Sequence, residues 1–598
     1  MNGSTALATV LVRSLSELGV RHAVLCPGSR SSALAYALAE AESAGLLELH
    51  VRIDERSAGF LALGLAKEQG LPALVVTTSG TAVANLHPAV LEASHSGVPL
   101  VVVSADRPHE MRGTGANQTT DQLRLFGTAV RWFAEVPAPD GPRPGIATGW
   151  RATVARAFAA ACGTLSADPG PVHLNVGFRE PLVPDLPEPG SETASEAVSE
   201  TASGTASGTA SAWARALDGG PPTVVEAPRP GEPVVLATGP RTVVLAGDGA
   251  GAPARSLAER AGWPVLAEPS SSARSGANAV GPYRLLLDHP GLGGRIERVV
   301  VLGRPTLSRP VARLLGRDDV EVVVVSRRPD WTDPQGRARR VLPAVTVDGA
   351  VEESGPQGAE WLAAWTAAGA AASEAIDAVL DAEAAAGRMT GPLVAREAAA
   401  ALTPGQALVA GSSNPIRDLD LAMRPVPDGA AAPAVLANRG LSGIDGTLAT
   451  ASGVALARRG ASALPVRALV GDLTFLHDLN ALIVGPLERR PHLQIVVVDD
   501  GGGGIFGLLE PGERALRGPE HAATFERAFA TPHGTGPADL CAGLGVGFSS
   551  VKDLASLRAA LARPGPDTSV LHLQIDRTAQ RALAARLAEA VAARLPTG

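Results

Sequence analysis

The sequence predicts an α/β protein built from three doubly wound domains, each a parallel sheet between helices. Short, continuous runs of apolar residues recur along the chain, which is typical of strands that are buried on both faces. Most of these runs stop at a turn rich in glycine or proline, and a segment of helical length follows. The chain has 598 residues, enough for roughly three to four domains.

The first third of the chain contains four apolar runs, at 23–26, 73–78, 100–104 and 172–176. The first three stop at the turns 27–29, 79–81 and 105–108. These elements predict a first domain over residues 1–185. A stretch rich in Ser, Thr, Ala, Gly and Glu follows at 186–215, and it predicts a low-complexity linker because such a composition buries no core.

The middle of the chain repeats the pattern, with apolar runs at 242–246, 298–302 and 320–325. We expect a central Rossmann-like α/β domain over 216–380, and an alanine-rich helical span from about 361 to 386 follows its strands. A third domain is predicted over 385–598, with strands at 466–470 and 494–498. The first and third domains share a coarse order of strand, glycine turn and helix, which suggests related folds.

The composition excludes several classes of protein. The formal net charge of −8 argues against nucleic-acid binding through overall positive charge. The three widely spaced cysteines fit a reducing cytoplasm and provide no disulfide framework and no zinc spacing. The N-terminus lacks the basic region of a signal peptide, and no apolar run reaches the ~20 residues that a membrane span requires. We therefore expect a cytoplasmic location.

Acidic residues follow two strands of the third domain. Asp472 comes directly after the strand 466–470 and Gly471, whereas Asp499 and Asp500 follow the strand 494–498 and precede a run of four glycines. An aspartate after a strand is commonly only a turn former or a helix cap. Two such strand ends and a glycine run favour a hard cation bound to phosphate, with Asp472, Asp500 and a carbonyl near Gly502 as metal ligands.

This arrangement resembles the signature of the thiamine diphosphate-dependent enzymes. The segment 52–60 is similar to the one that carries the activating glutamate of that superfamily, at Glu55. The resemblance implies thiamine diphosphate with Mg²⁺ or Mn²⁺ as cofactors, and pyrimidine-binding, central and diphosphate-binding domains in that order. It also implies that Glu55 is catalytic, through a hydrogen bond to the pyrimidine ring in an apolar setting.

Further motifs resemble one branch of the superfamily, the decarboxylating carboligases of menaquinone synthesis. The matching segments are 26–31, 78–86, 105–108, 115–118, 170–176, 178–182, 438–446 and 532–534. The resemblance implies a transferase that decarboxylates 2-oxoglutarate and adds the succinyl carbanion to isochorismate. Both substrates carry carboxylates, which arginine binds through two parallel hydrogen bonds.

The resemblance assigns the remaining site residues. Cofactor contacts are expected from Glu55, Ser79, Gly80, Ile444, Gly471, Asp472, Leu473, Asp500, Gly502, Ile505 and Phe506. Substrate contacts are expected from Ser29, Arg30, Arg107, Gln118, Ser412, Ser413, Arg417, Arg439 and Leu509. Arg417 and Ser413 should face the succinyl carboxylate, and Arg30, Arg107 and Gln118 should face isochorismate. Ile444 should bend the cofactor, and Leu509 should extend an apolar wall formed by Ile505 and Phe506.

Two other functions fit the sequence, and the chain differs from the family pattern at one place. The chain could be another thiamine diphosphate-dependent 2-oxo acid carboligase, such as an acetolactate-synthase-like enzyme, or a relative that only binds a ligand. The superfamily usually builds its site from two subunits, so a homodimer is the minimum and a homotetramer is plausible. An asparagine pair is common in the family where this chain has Asp499 and Asp500, which predicts strong dependence of cofactor binding on a divalent metal.

Overall fold

The structure is a computed structural model that describes residues 1–185, 220–348, 355–458 and 464–596. The chain folds into two compact units. The first unit contains residues 1–228 together with 483–489, and the second contains 229–482 together with 490–598. Among the described residues, no helix is long and apolar enough to cross a membrane.

The first unit is a six-stranded parallel sheet between helices. Its strands are β1 (His22–Leu25), β2 (Glu48–Val51), β3 (Ala73–Thr77), β4 (Leu100–Asp106), β5 (Trp132–Val136) and β6 (Pro171–Gly177), in the order β2-β1-β3-β4-β6-β5. Its helices are α1 (Gly3–Leu18), α2 (Ser32–Ser43), α3 (Glu55–Gln69), α4 (Thr81–Ala84), α5 (His87–Ser96) and α6 (Ile146–Ala161). β1, β3, β4 and β6 are buried along their whole length, which explains their continuous apolar runs.

The strand order of this sheet reverses between β1 and β3. At such a switch point the turns that leave neighbouring strands diverge, and ligands bind in the crevice between them. The two turns approach closely, since a Cβ added at Gly28 would lie 2.3 Å from Cβ of Thr78. Gly28 therefore permits the contact between the turn after β1 and the turn after β3.

The second unit begins with the central sheet. Its strands are β7 (Val234–Leu236), β8 (Thr242–Ala246), β9 (Val265–Ala267), β10 (Arg298–Leu302), β11 (Glu321–Val325), β12 (Ala338–Leu342) and β13 (Val345–Val347). Five of them form a parallel sheet in the order β12-β11-β10-β8-β9, and β7 pairs with β13. Three helices belong to this part, α7 (Gly251–Ala261), α8 (Arg309–Leu315) and α9 (Gly355–Ala385).

The last part of the chain forms a second six-stranded parallel sheet. Its strands are β14 (Ala407–Ala410), β15 (Ala434–Ala437), β16 (Val466–Gly471), β17 (Leu493–Asp499), β18 (Gly547–Ser550) and β19 (Ser569–Gln574). Its helices are α10 (Gly391–Ala400), α11 (Asn414–Ala422), α12 (Thr447–Ala457), α13 (Asp472–His477), α14 (Ala522–Phe525), α15 (Pro537–Leu544), α16 (Leu554–Ala562) and α17 (Gln580–Ala592). The order β15-β14-β16-β17-β19-β18 repeats the order of the first sheet.

The predicted α/β class with parallel sheets is confirmed. The predicted boundaries of the three domains stay predictions, because the compact units divide the chain near residue 228 and place 483–489 with the first unit. The predicted linker at 186–215 lies outside the described residues. Apolar runs did not predict β2, β5 or β18, whose mixed burial gives no continuous run, or β15, which is apolar throughout but only four residues long.

Candidate functional site

The acidic residues of the second unit meet at the ends of the neighbouring strands β16 and β17, beside the switch point between β14 and β16. β16 ends at Gly471, and Asp472 begins α13. The Asp472 side chain is 3% exposed. Its Oδ2 accepts a hydrogen bond from the Gly502 N–H at 2.6 Å and lies 3.0 Å from Nε2 of His533, while its Oδ1 accepts from the Leu473 N–H at 2.8 Å.

The two aspartates after β17 have different surroundings. Asp499 Oδ2 lies 2.7 Å from Nε2 of His572. Asp500 accepts hydrogen bonds from the Gln580 amide at 3.0 Å and from the Gly504 N–H at 3.2 Å. Asp500 lines the cavity beside Asp472, whereas Asp499 contributes an oxygen to a tight group with Asp472 and His533, whose ligand atoms all lie within 4.8 Å of one another.

The electrostatics of this group favour a cation. Burial, followed by the charge of Asp500, raises the pKa of Asp472 to about 6. Burial also raises the pKa of Asp500. The ionised forms of both side chains are therefore destabilised, by burial and by the repulsion between their negative charges. A divalent cation bound between them would offset this electrostatic cost. The oxygens present suit Mg²⁺ or Mn²⁺, and His533 adds a nitrogen at their edge.

A cavity of about 200 Å³ opens beside these carboxylates. It collects ten of the residues predicted from the sequence: Ser412, Ser413, Ile444, Gly471, Asp472, Leu473, Asp500, Gly502, Ile505 and Phe506. These residues come from four separate stretches of the chain, 412–413, 444, 471–473 and 500–506. The structure thus brings together the predicted metal ligands, the predicted apolar contacts and two predicted substrate contacts.

The cavity suits an anionic group such as a diphosphate. Ser412 is 4% exposed, and its buried Oγ has no hydrogen-bond partner within the described part of the chain. The N-terminus of α11 also points at the cavity, with Asn414 and Pro415 in its wall. Helix N-termini attract phosphate oxygens. A donor without a partner, a helix N-terminus and a set of metal-binding carboxylates together fit a metal-bound diphosphate.

A second cavity of about 530 Å³ adjoins the first, and Ile505 lines both. Two further predicted residues, Arg417 and Leu509, lie in its wall. Arg417 Nη1 donates to the Ser413 carbonyl at 2.7 Å. Burial, followed by the charges of Arg439 and Arg284, lowers the pKa of Arg417. The charges of Asp418 and Asp420 act against this shift, and a bound carboxylate would stabilise the Arg417 guanidinium in the same way.

Arg439 occupies a different place from Arg417. It is 3% exposed, and its Nη2 donates to Thr306 Oγ1 at 3.0 Å. It does not line either of the two cavities. Arg439 therefore contributes charge to this region from behind the cavity wall, and its predicted contact with substrate stays a prediction.

Glu55 begins helix α3 of the first unit. Asp54 caps this helix by accepting the Arg56 and Ser57 N–H groups, which fixes the start of the helix at Glu55. The Glu55 side chain is half-buried, and Phe60 behind it is buried. Glu55 therefore stands in the first turn of α3, and its predicted role at the pyrimidine ring stays a prediction.

The turns at the switch point of the first unit hold the other predicted residues. Arg107, which is 7% exposed, donates from Nη1 to Ser79 Oγ at 2.6 Å and to the Gln118 carbonyl at 2.9 Å. Burial, followed by the charge of Arg107, lowers the pKa of Arg30, so the two guanidinium groups are electrostatic neighbours. Gln118 and Gly80 pack together, whereas Ser29 is exposed. This edge of the sheet favours an anionic ligand.

Sequence reasoning missed several residues of these sites. Asp499 and His533 belong to the group of potential metal ligands, and both stand in segments that the sequence analysis had quoted. Gln580 and Asp418 also line the first cavity. Gln580 begins a helix 80 residues beyond Asp500, and no local pattern signals that the two side chains meet.

Comparisons with known proteins identify the family of this chain. A family profile described as "Thiamine pyrophosphate enzyme, N-terminal TPP binding domain" matches residues 5–125. The chain is 52% identical to the 2-succinyl-5-enolpyruvyl-6-hydroxy-3-cyclohexene-1-carboxylate synthase of Kineococcus radiotolerans, covering 99% of this chain and 100% of the relative. It is 48% identical to the synthase of the same name from Paenarthrobacter aurescens, covering 99% and 97%.

The fold also matches a solved structure. The benzoylformate decarboxylase of Polynucleobacter necessarius aligns with a TM-score of 0.61 over 96% of this chain and 99% of that chain. Sequence identity in this alignment is 16%, so the similarity shows a shared fold alone.

Proposed function

The chain belongs to the family of 2-succinyl-5-enolpyruvyl-6-hydroxy-3-cyclohexene-1-carboxylate synthases, and we propose that the two sites described above carry out the reaction of that family. The protein is a transferase that depends on thiamine diphosphate. It removes CO₂ from 2-oxoglutarate and joins the remaining succinyl unit to isochorismate, a step of menaquinone synthesis. The observation that carries this conclusion is 52% identity over essentially the full length of both chains.

We propose that the cavity beside Asp472 holds the diphosphate and its metal ion. Asp472, Asp500 and the Gly502 carbonyl would bind Mg²⁺ or Mn²⁺, with Asp499 and His533 close enough to orient or join them. Ser412 Oγ would donate to a phosphate oxygen. When bound, thiamine diphosphate supplies a carbon nucleophile that attacks 2-oxo acids and stabilises the charge left by CO₂.

The remaining roles belong to the protein's own side chains. Glu55 would hold a proton at the pyrimidine ring of the bound cofactor. Ile444 would press against the cofactor, and Ile505, Phe506 and Leu509 would exclude water from the reacting atoms. Gly471 and Leu473 would let the backbone approach the diphosphate.

We propose that arginines of each unit bind one substrate. Arg417 and Ser413 would bind the distal carboxylate of 2-oxoglutarate, supported by the charge of Arg439. Arg30 and Arg107, with Gln118 and Ser29, would bind isochorismate. Paired guanidinium groups bind carboxylates tightly where water is excluded, which orients both substrates before they react.

We also propose that the complete site needs two chains. Glu55 of one subunit would serve the cofactor held by Asp472 of the other, in a homodimer or homotetramer. A cytoplasmic location is supported by three free cysteines, Cys26, Cys162 and Cys541.

The competing assignment is a carboligase that uses pyruvate, as in an acetolactate-synthase-like enzyme. Purified protein with thiamine diphosphate and Mg²⁺ would be given isochorismate together with either 2-oxoglutarate or pyruvate, and CO₂ release and isochorismate consumption would be followed. We expect both signals with 2-oxoglutarate only. Turnover of pyruvate without turnover of 2-oxoglutarate would establish the competitor, and absence of cofactor binding in calorimetry would favour a non-catalytic relative.

A further inference from the structure

A buried polar network lies behind the turns that carry Arg107 and Gly80. Its members share complete burial at the C-terminal edge of the first sheet: Ser104, Asp106, Gln122, His173 and Asn175 are all 0% exposed. None of these residues was among the predicted site residues. Burying a polar side chain lowers the stability of the folded state unless the side chain is hydrogen-bonded. The partners of these five residues therefore indicate what the network holds in place.

The hydrogen bonds form one continuous path between the two turns. The Gly80 N–H donates to Gln122 Oε1 at 2.9 Å, and Gln122 Nε2 donates to Asn175 Oδ1, also at 2.9 Å. Asn175 Nδ2 then donates to Asp106 Oδ2 at 2.9 Å. Asp106 Oδ1 accepts the Arg107 N–H at 2.7 Å. Gln122 therefore connects the predicted cofactor turn to the predicted isochorismate arginine.

The direction of these bonds is fixed by Asp106. Asp106 Oδ2 pairs with Arg112 Nε at 3.2 Å, and a carboxylate in such a pair accepts hydrogen bonds, so Asn175 turns its NH₂ group toward Asp106. The oxygen of Asn175 then faces Gln122 and also accepts from Ser104 Oγ at 2.9 Å. Gln122 must in turn direct its own NH₂ group to Asn175, which leaves its oxygen for Gly80. The amide at position 122 supplies both the donor and the acceptor that this path needs, whereas a carboxylate supplies acceptors alone.

The network supports a strained backbone. Gly80 has φ 82° and ψ −137°, and Gln118 has φ 54°, which is uncommon for a residue with a side chain. The two residues meet directly, since a Cβ at Gly80 would lie 3.1 Å from Gln118 Cγ. Ser79 Oγ donates to the Gln118 carbonyl at 2.8 Å. Strain of this kind persists only where surrounding bonds hold the conformation.

We propose that Gln122 is a positioning residue that holds the Ser79–Gly80 turn and Arg107 in one relative arrangement, and thereby couples cofactor binding to recognition of isochorismate. This inference rests on the proposed function, because it takes Arg107 as a ligand of isochorismate. Gln122 itself is fully buried and acts through Gly80 directly and through Asn175 and Asp106.

The test uses Gln122→Met, which keeps the length of the side chain and removes its three hydrogen bonds, namely those with Gly80 and Asn175 and a third from Nε2 to the Ala105 carbonyl at 3.3 Å. Gln69→Met is the matched control, because Gln69 is half-buried in the same unit, where its amide lies 2.7 Å from His22 Nε2. We expect Gln122→Met to raise KM for isochorismate by about tenfold or more and to weaken thiamine diphosphate binding in calorimetry severalfold. KM for 2-oxoglutarate should change less than about twofold, and Gln69→Met should leave all three quantities near their wild-type values.

Gln122→Glu separates the effect of the bond with Gly80 from the effect of the bond with Asn175. It also provides a second test of the proposal if the methionine variant fails to fold. It keeps the oxygen that accepts from Gly80 and loses the donor to Asn175, so thiamine diphosphate affinity should stay while KM for isochorismate rises. Loss of cofactor affinity in the glutamate variant, or a fall in kcat with all KM values unchanged, would overturn the inference.

Arg107→Met distinguishes failure of the inference from failure of the site assignment. If Arg107→Met raises KM for isochorismate and Gln122→Met does not, the positioning role is wrong and the proposed substrate site stands. If Arg107→Met leaves KM for isochorismate unchanged, the site assignment fails and the inference fails with it. If both are correct, the double variant should be less impaired than the product of the two single effects predicts.

Discussion

Asp500 places a carboxylate beside the cavity that we propose to hold a diphosphate. Its oxygens accept from Gln580 and Gly504, and asparagine keeps an oxygen for one metal bond. We predict that Asp500→Asn retains activity within about threefold and needs less Mg²⁺ for cofactor binding, because the like charges beside the metal are reduced. Steady-state rates and calorimetry over a Mg²⁺ series measure both effects. An inactive variant with an intact fold would show that the charge itself is required.

Glu268 is a second informative carboxylate, in the loop after β9. It is 1% exposed and accepts the Leu307 N–H at 2.9 Å. Burial raises its pKa from 4.5 to about 8, although the Leu307 N–H and Arg439 act against this shift. The native state therefore binds a proton between those pH values that the unfolded state has released, and wild-type stability falls as the pH rises through this interval.

Glu268→Gln should remove that pH dependence and keep an acceptor for Leu307. We predict that the free energy of unfolding of the variant, relative to wild type, increases between pH 5 and pH 8 by up to about 1.4 kcal/mol per pH unit. Urea unfolding at several pH values measures the difference. A difference that stays constant with pH would contradict the assignment of a raised pKa to Glu268.

At the scale of elements, the conformation of the turn after β17 requires glycine at position 502. Gly502 has φ 141°, and a Cβ there would lie 2.0 Å from the Ala530 carbonyl oxygen. Gly502→Ala should therefore lower the free energy of unfolding by about 2 kcal/mol or more and abolish detectable cofactor binding.

Gly543→Ala provides the matched control for that turn. Gly543 lies in α15 of the same unit, and a Cβ there meets no atom within 4 Å. Alanine should stabilise this helix by up to about 1 kcal/mol and leave cofactor affinity unchanged. Urea unfolding and calorimetry compare the two variants. Equal stability of the two alanine variants would show that the turn tolerates a side chain.

The same scale shows what the sequence could and could not predict. Strands such as β4 and β17 are buried along nearly their whole length, so their apolar runs identified them. Asp472 and Asp500 were found because each directly follows such a strand. His533 reaches Asp472 from a segment 61 residues away, and only the closed fold creates that contact. Gln122 lies in a loop without periodicity, and its role became visible only through its hydrogen bonds.

Two sheets of the molecule, one in each compact unit, have the same strand order. We propose that each cofactor is bound by two chains. A mixture of Glu55→Gln and Asp472→Ala chains tests this sharing. Each variant alone should fold and lose most activity, by about 100-fold or more, because a proton-transfer group or a metal ligand is missing. In a mixed dimer, one of the two sites would combine the intact Glu55 of one chain with the intact Asp472 of the other.

Random pairing of co-expressed variants should therefore restore about a quarter of wild-type activity, since half of the dimers are mixed and each has one intact site. Wild-type thermal melting of each variant would show that the loss of activity is local. Activity that stays at the level of the single variants would indicate that Glu55 and Asp472 serve the same site within one chain.

The central claim is that this chain joins 2-oxoglutarate to isochorismate with thiamine diphosphate. Mass spectrometry of the products formed from both substrates and Mg²⁺, with and without thiamine diphosphate, tests it most directly. We predict that the mass of 2-succinyl-5-enolpyruvyl-6-hydroxy-3-cyclohexene-1-carboxylate accumulates only when the cofactor is present. Unchanged isochorismate in the complete mixture, with cofactor binding demonstrated by calorimetry, would contradict the assignment.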